Sequence, residues 1–317
     1  MSETQKIPLI AVVGPTASGK TSLGIELAKK YNGEIISADS MQIYQYMDIA
    51  TAKPTPDEMQ GIPHHLIGFL SPDTPFSVAD YVEIAKKKIL DIYGRGKLPV
   101  LVGGTGLYVS SLLDNIEFSQ SSSDENLRAE LMNVAEQYGA DALLDMLGKF
   151  DPESAKRLSE QKNIKRIIRA IEIYKTTGVT MTESLRNSRL NASPYKDVRI
   201  GLKAENRQFL YDRINKRVDI MLQIGLLEET KKIMSLNLGK TAKMAIGYKE
   251  LIPYIEGRAT LDEALEKLKM ETRRYAKRQL TWFRRDEKIS WIDIDKFSEC
   301  DIINAACDIV NGSGILS

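Results

Sequence analysis

The amino-acid sequence predicts an α/β fold: a parallel sheet flanked by helices, carrying an inserted all-helical domain. Three observations predict it. Short apolar runs alternate with stretches of helical spacing, the pattern of parallel strands joined by crossover helices. A glycine-rich motif stands between the first apolar run and the first helical stretch. A long central block has helical periodicity and no strand, and polar segments bracket it. A chain of 317 residues suits one large domain plus a smaller one. The expected partition is residues 1–115 as the first part of the core, 116–195 as the insertion, and 196–317 as the second part of the core with C-terminal helices.

Taken in order, "IPLIAVVG" is a short apolar run ending in glycine and reads as a buried first strand. "KTSLGIELAKKY" follows with helical spacing. "GEIISADS" and "KLPVLVGG" are the next two strands, with the helical "VADYVEIAKKKILDIY" between them. Ligands in such sheets bind beyond the carboxyl ends of the strands. Gly14, Asp39 and Gly104 each lie just past a strand end, so three distant positions are expected to meet in one crevice. The character changes after Leu113. "EFSQSSSDEN" reads as a linker, residues 127–175 read as helices only, and "RNSRLNASPYKD" closes the block. "VRIGLK" then resumes the strand pattern, long helical stretches follow, and "KISWIDID" is a last strand.

Composition narrows the function classes. With 44 Lys and Arg against 43 Asp and Glu, the net charge is +1, so any nucleic-acid footprint must be a local patch. Cys300 and Cys307 have no metal-site spacing and suit free thiols in a reducing compartment. The first apolar run leads straight into the glycine-rich motif, and no window approaches the ~20 apolar residues of a membrane span. A soluble, cytoplasmic protein is expected.

The chemistry starts at "GPTASGKT". Gly14-x-x-x-x-Gly19-Lys20-Thr21 is the pattern of a phosphate-cradling loop, and its strand–helix setting makes the sheet P-loop NTPase-like. The glycines let the backbone wrap an anion, Lys20 adds a charge, and the Thr21 hydroxyl can hold Mg²⁺. Phosphoryl-transferring relatives of this loop carry an aspartate at the end of a later strand. Here that strand ends "VLVGGTGLY", without an acid. The carboxylate is Asp39, in "ISADSMQIY", either a reactive group for a second substrate or a cap on a following helix. "GIPHHL" offers His64 and His65; adjacent histidines rarely face one ion, so a substrate-side or structural role is expected, not a metal site. Two segments hold the cationic patch that net charge hides. In "QKNIKRIIRAIEIY", Lys162, Lys165, Arg166 and Arg169 fall at i, i+3, i+4 and i+7, opposite a stripe of isoleucines. In "ETRRYAKRQLTWFRR", Arg273, Arg274, Lys277, Arg278, Arg284 and Arg285 face one acid, with Tyr275, Trp282 and Phe283 interleaved; cations suit phosphates and aromatics suit splayed bases.

Together "GPTASGKT", "SADSMQIYQYMDIATAKP", "LVGGTGLY" and "RRYAKRQLTWFRRD" resemble the tRNA isopentenyltransferase family, from the first strand to about Asp286. The resemblance implies transfer of a dimethylallyl group from dimethylallyl diphosphate to N6 of adenosine 37, beside the tRNA anticodon, with Mg²⁺ and release of diphosphate. It implies Asp39, Thr105 and Lys20 as the catalytic set, Asp39 being the general base. It implies diphosphate contacts from Gly14, Pro15, Thr16, Ala17, Ser18, Gly19, Lys20 and Thr21, with Mg²⁺ on Thr21. Arg213 and Arg217, four apart on one helix face, add at least one further contact. The residues expected to meet tRNA are Asp39, Ser40, Met41, Gln42, Thr105, Lys162, Asn163, Lys165, Arg166, Arg169, Arg274, Arg278 and Gln279. Gln42 is expected to read the base, and Gly103 and Gly104 to let nucleic acid approach the backbone. An anticodon stem-loop gripped by both basic segments would give the insertion its purpose, and a monomer would supply every part. Two rivals remain: a small-molecule kinase using the same loop, and a nucleotide-gated RNA-binding protein without catalysis.

Overall fold

The computed structural model describes residues 6–116, 124–188 and 192–316. The chain forms two compact units, one of residues 1–113 and 194–317 and one of residues 114–193. Most of the serine-rich linker, and residues 189–191 of the polar stretch that closes the central block, lie outside the described residues.

The larger unit is built on a six-stranded sheet. Its elements are β1 (Ile7–Val13), α1 (Lys20–Lys30), β2 (Gly33–Ser37), α2 (Pro56–Met59), β3 (His64–His65), α3 (Val78–Gly94), β4 (Leu98–Gly103) and α4 (Gly106–Leu113). The smaller unit contributes α5 (Glu125–Gly148), α6 (Pro152–Ser159), α7 (Ile164–Thr177) and α8 (Met181–Ser188). The larger unit resumes with β5 (Tyr195–Lys203), α9 (Arg207–Gln223), α10 (Leu226–Met234), α11 (Tyr248–Ile255), α12 (Leu261–Phe283), β6 (Ile289–Asp293) and α13 (Glu299–Gly312).

The strand order is β3-β2-β4-β1-β5-β6, and every pairing is parallel. Helix α1 packs on β4 and β2 beside α13, while α3 packs on the same strands beside α4. Right-handed crossovers in opposite directions put α1 and α3 on opposite faces. Strands β1, β2 and β4 are therefore covered on both sides, which is why they are apolar runs without alternation. Leu9, Ile10, Ala11, Val12 and Val13 are completely buried. Two residues make β3, too short a run to carry a periodicity, and the sequence does not announce it.

Glu34, on β2, is a buried charge of this sheet. It accepts a two-pronged pair of hydrogen bonds from Arg95 at 2.6 and 2.7 Å, one at 2.7 Å from His65, and an ion pair from Lys97. Those partners, Arg95 first, outweigh burial and hold its carboxyl well below the usual range. His65 thus has a structural partner.

The smaller unit has its own core of Leu131, Ala135, Leu143, Leu144, Leu147, Leu158, Ile167, Ile168 and Ile171. Asp124, Asp151 and Asn163 cap α5, α6 and α7 by accepting a backbone N–H of the first turn. The expected helical stripe is corrected at its start. Lys162 stands before the cap in the left-handed region, at φ 44, and pairs with Asp141 at 2.8 Å. Asn163 spends its side-chain oxygen on the cap. At the other end Arg169 donates to the fully buried Glu172 at 2.6 Å. Burial pushes Glu172 up, but hydrogen bonds from Arg128 and Arg169 outweigh it and hold the carboxyl down. Lys165, Arg166 and Lys175 are the exposed cations of α7.

Candidate active site

A cavity of about 370 Å³ opens in the larger unit over the carboxyl ends of β1, β2 and β4. Lys20, Thr21, Asp39 and Gly104 all line it, so the ends of three strands converge there. Asp39 is the one carboxylate in its wall among the described residues.

The loop between β1 and α1 follows from its glycines. Gly14 has φ 146, Ala17 φ 61 and Gly19 φ 93, so the backbone winds tightly before α1 starts at Lys20. A Cβ at Gly14 would lie 2.5 Å from the Leu202 carbonyl oxygen, which excludes any side chain. Lys20 Nζ donates to the carbonyl of Pro15 at 2.6 Å, and the Ser18 hydroxyl is buried without a partner. Burial first, then the neighbouring Arg217 charge, bring the Lys20 amine down to about 7, against an upward pull from Asp39. Arg217 donates to the Thr16 hydroxyl at 3.2 Å and lines the cavity, while Arg213 donates to the Ala17 carbonyl at 2.8 Å and braces the loop from outside. Burial also lowers Arg217, partly offset by Asp39. Cations thus crowd one end of the cavity, which suits an anion.

Asp39 follows β2 by two residues. Its Oδ1 accepts from the backbone N–H of Met41 at 2.9 Å and of Gln42 at 3.4 Å, and its Oδ2 accepts nothing from the described residues. No helix follows it, so capping does not explain it; the turn uses one oxygen and leaves the other. Ser40, Met41 and Gln42 line the same wall. Gln42 corrects the expectation of a base-reading amide. Its oxygen accepts from Ser37 Oγ at 3.0 Å, and its nitrogen donates to the carbonyls of Thr51 at 3.3 Å and Ala52 at 3.0 Å. Both ends brace the protein. Thr105 accepts from Ser40 N at 2.9 Å and fixes the same turn from β4.

The glycines that end and follow β4 make room for protein on the side a Cβ would occupy. A Cβ at Gly103 would lie 2.2 Å from the Ala38 carbonyl oxygen, one at Gly104 2.1 Å from Gln279 Nε2, and one at Gly106 2.2 Å from Trp282. On the side where a side chain would stand, the space at each is filled by protein. Gln279 is buried; it accepts from Thr16 N at 2.8 Å and donates to the Gly104 carbonyl at 2.9 Å, tying the loop to β4. Of the aromatics on α12, Phe283 is core, Trp282 donates to Ser110 Oγ at 3.0 Å, and Tyr275 lines the cavity. Burial, then the charge of Asp39, push the Tyr275 hydroxyl up, so it stays protonated. Arg278 lines the mouth over the Tyr275 ring, while Arg274 pairs with Glu271 at 2.7 Å away from the cavity.

Part of the remaining wall is apolar. Ile214, Val218 and Met221 of α9 join Leu268 of α12 and the stretch Met244–Ile246. Sequence reasoning misses these residues, although Ile214, Arg217, Val218 and Met221 follow the i, i+3, i+4, i+7 rule and Arg217 stands among them. Leu268, Thr272, Tyr275 and Gln279 form a second such stripe. His64 also lines the cavity. Its Nδ1 lies 2.8 Å from the Ile62 carbonyl and is therefore the donor, leaving a buried, unpartnered Nε2 as an acceptor. Burial lowers its pKa, which keeps the ring neutral.

No group of three or more His, Cys, Asp or Glu side chains able to cage a metal occurs among the described residues. Mg²⁺ prefers a few protein oxygens completed by substrate phosphates and water. Thr21 in the cationic end fits that mode. Among the described residues no helix is long and apolar enough to cross a membrane.

A family profile described as IPP transferase matches residues 42–286, and one described as isopentenyl transferase matches residues 7–68. The chain is 48% identical to a tRNA dimethylallyltransferase of Thermoanaerobacter sp. strain X514, over 92% of this chain and 93% of that one. It is 49% identical to a tRNA dimethylallyltransferase of Acetivibrio thermocellus, over 91% and 92%. Among solved structures, the full-length tRNA isopentenylpyrophosphate transferase of Bacillus halodurans superposes with a TM-score of 0.71 at 44% identity, covering 98% of this chain and 99% of that one. A eukaryotic dimethylallyltransferase acting on tRNA gives a TM-score of 0.81 at 30% identity, covering 96% and 78%.

Proposed function

Since the chain belongs to the IPP transferase family, the tRNA dimethylallyltransferases, we propose that it moves a dimethylallyl group from dimethylallyl diphosphate to N6 of adenosine 37 of tRNA, releasing diphosphate. The observation that carries this is the pairing, in one cavity, of a cationic phosphate loop with a single carboxylate, Asp39, and an apolar wall.

The residues divide the work by chemistry. The loop N–H groups, Lys20 and Arg217 take the diphosphate, and Ile214, Val218 and Met221 accept the apolar tail. The exocyclic amine of adenine is a poor nucleophile because its lone pair is delocalised into the ring. Its proton must leave as the C–N bond forms, and Asp39 Oδ2 accepts it, a contribution of roughly 10²–10⁴-fold. The C–O bond breaks, and the loop and Lys20 stabilise charge growing on the leaving group. Mg²⁺ held by Thr21 would add electrophilic stabilisation of that same charge. Thr105 holds the Asp39 turn. Extruding the adenosine costs a few kcal/mol, least in a single-stranded loop. Arg278 at the mouth and Lys165 and Arg166 of α7 contribute to RNA affinity. The enzyme works as a monomer in the cytoplasm.

The test is to incubate the purified protein with unmodified tRNA and dimethylallyl diphosphate, without ATP, and to look for a prenyl mass increment on the tRNA. ATP consumption without that increment would favour a kinase, and tRNA binding without chemistry an RNA-binding protein.

A further inference from the structure

Asp39 stands on an irregular segment, and the structure shows what holds that segment. Between β2 and α2 the chain runs some 18 residues without a helix or strand. Its apolar side is buried by Ile43, Tyr44 and Met47 against Ile233, Ala242, Ala245 and Tyr248. Its polar side is held by one carboxylate. Glu229, on α10, accepts from three successive backbone N–H groups: Asp48 at 2.9 Å, Ile49 at 2.8 Å and Ala50 at 2.9 Å. Tyr248 completes the set, donating its hydroxyl at 2.8 Å. Burial, then the Glu229 charge, push that hydroxyl well above its ordinary range, so it remains a donor. The backbone at Gly247 closes against the same place, since a Cβ there would lie 2.7 Å from that of Ala50.

The contacts continue to the reactive carboxylate. Ala50, Thr51 and Ala52 line the cavity. The carbonyls of Thr51 and Ala52 accept from the Gln42 amide, and Gln42 N donates to Asp39 Oδ1. A chain of hydrogen bonds thus runs from helix α10 through the segment to Asp39. Glu229 itself does not line the cavity.

We infer that Glu229 is a positioning residue for the transfer, aiming Asp39 through residues 48–52 and Gln42. The inference rests on the reading of Asp39 as the general base. A glutamine at 229 keeps one acceptor oxygen and replaces the other with an N–H₂ group, which cannot accept from a backbone N–H. Displacing a reacting group by about 1 Å costs roughly 10²-fold.

The experiment is a double-mutant cycle on the single-turnover rate at saturating tRNA and dimethylallyl diphosphate, with Glu229→Gln, Asp39→Asn and the pair. Binding of dimethylallyl diphosphate to each folded variant is measured by calorimetry. Glu229→Gln is expected to slow transfer by about 10–10²-fold with binding of the diphosphate unchanged. The pair is expected to be no slower than Asp39→Asn alone, because a carboxylate that is absent cannot be misplaced. Losses that add, weakened diphosphate binding, or an unchanged rate would overturn the inference. Should Glu229→Gln fail to fold, Tyr248→Phe removes one of four donors and keeps the carboxylate. A rate loss that disappears in the Asp39→Asn background then supports the inference, and a normal rate or an additive loss overturns it. A normal rate in Asp39→Asn would remove the base assignment, whereas a slow Asp39→Asn beside a normal Glu229→Gln would remove only this inference.

Discussion

Two side chains carry the proposed chemistry, and each makes a measurable claim. Asp39 has one oxygen in its own turn and one without a partner, so it is free to take a proton without losing its seat. Asp39→Asn is expected to keep that seat, lower the single-turnover rate by about 10²-fold or more, and shift tRNA affinity little. Lys20 makes a pH prediction. Its amine titrates near 7 in the free protein because burial and Arg217 oppose its charge. An arriving diphosphate favours the charged form, so binding above pH 7 must take up a proton. Affinity is therefore expected to fall as the pH rises through 7 towards 9. Calorimetry at pH 8 in buffers of different ionisation enthalpy reads the uptake directly, and Lys20→Arg, charged throughout, should show none. The phosphate loop is fully legible in the sequence because its residues are neighbours. Gln279 is not legible in its true role, because the carbonyl it holds lies 175 residues away. Gln42 looks like a base reader only until Thr51 and Ala52 are seen beneath it.

At the scale of elements, helix α12 and strand β4 meet where glycines leave no room. Gly104→Ala would drive a methyl into the Gln279 amide, which is tied at both ends. It is expected to destabilise the protein by about 1–3 kcal/mol, read by urea denaturation, with part of the loss recovered by Gln279→Ala. The sequence marks Gly103 and Gly104 as special, but only the packing says that protein is what approaches them. Strand β2 makes the second prediction. The Glu34 carboxyl is held below its unfolded value of 4.5 by Arg95, His65 and Lys97. Its stabilisation is fully present above that value and is lost as the pH falls below it. Glu34→Gln should lower stability at neutral pH and flatten the acid limb of a stability–pH curve. The strands and helices around these sites are legible because period and length both speak for them. The pair His64–His65 is too short to announce an edge strand, and Lys162 fits a helical stripe by spacing that its own backbone does not join.

For the whole molecule, bulk charge is uninformative at +1 and the two basic segments carry the RNA hypothesis. The structure reduces the first segment, since Lys162 and Arg169 have acidic partners while Lys165 and Arg166 remain exposed. Lys165→Ala with Arg166→Ala should weaken tRNA binding. It should also flatten the dependence on log salt by about 0.7–0.9 for each phosphate no longer neutralised. Arg274→Ala with Arg278→Ala should do the same. Binding of dimethylallyl diphosphate should survive the first pair, and a salt titration of each double variant decides the matter. An unchanged slope in both would leave these charges as solvated surface.

The placement of the smaller unit between α4 and β5 sets the order in which the chain can be completed on the ribosome. Strand β1 is central, bonded to β4 on one side and to β5 on the other. Its second partner begins at Tyr195, whose register mate is Ile7 at the very start of the strand. At roughly 5–20 residues per second, β1 waits roughly 5–20 seconds after β4 is made with an apolar edge unpaired. In that interval the smaller unit, which has a core of its own, emerges and can fold. A growing chain whose residues up to 193 have cleared the ribosome, with β5 still inside it, should therefore yield a protease-resistant fragment from that unit while β1 remains open to chaperones or to another unfinished copy. Pulse proteolysis of stalled chains on either side of β5 reads that order directly.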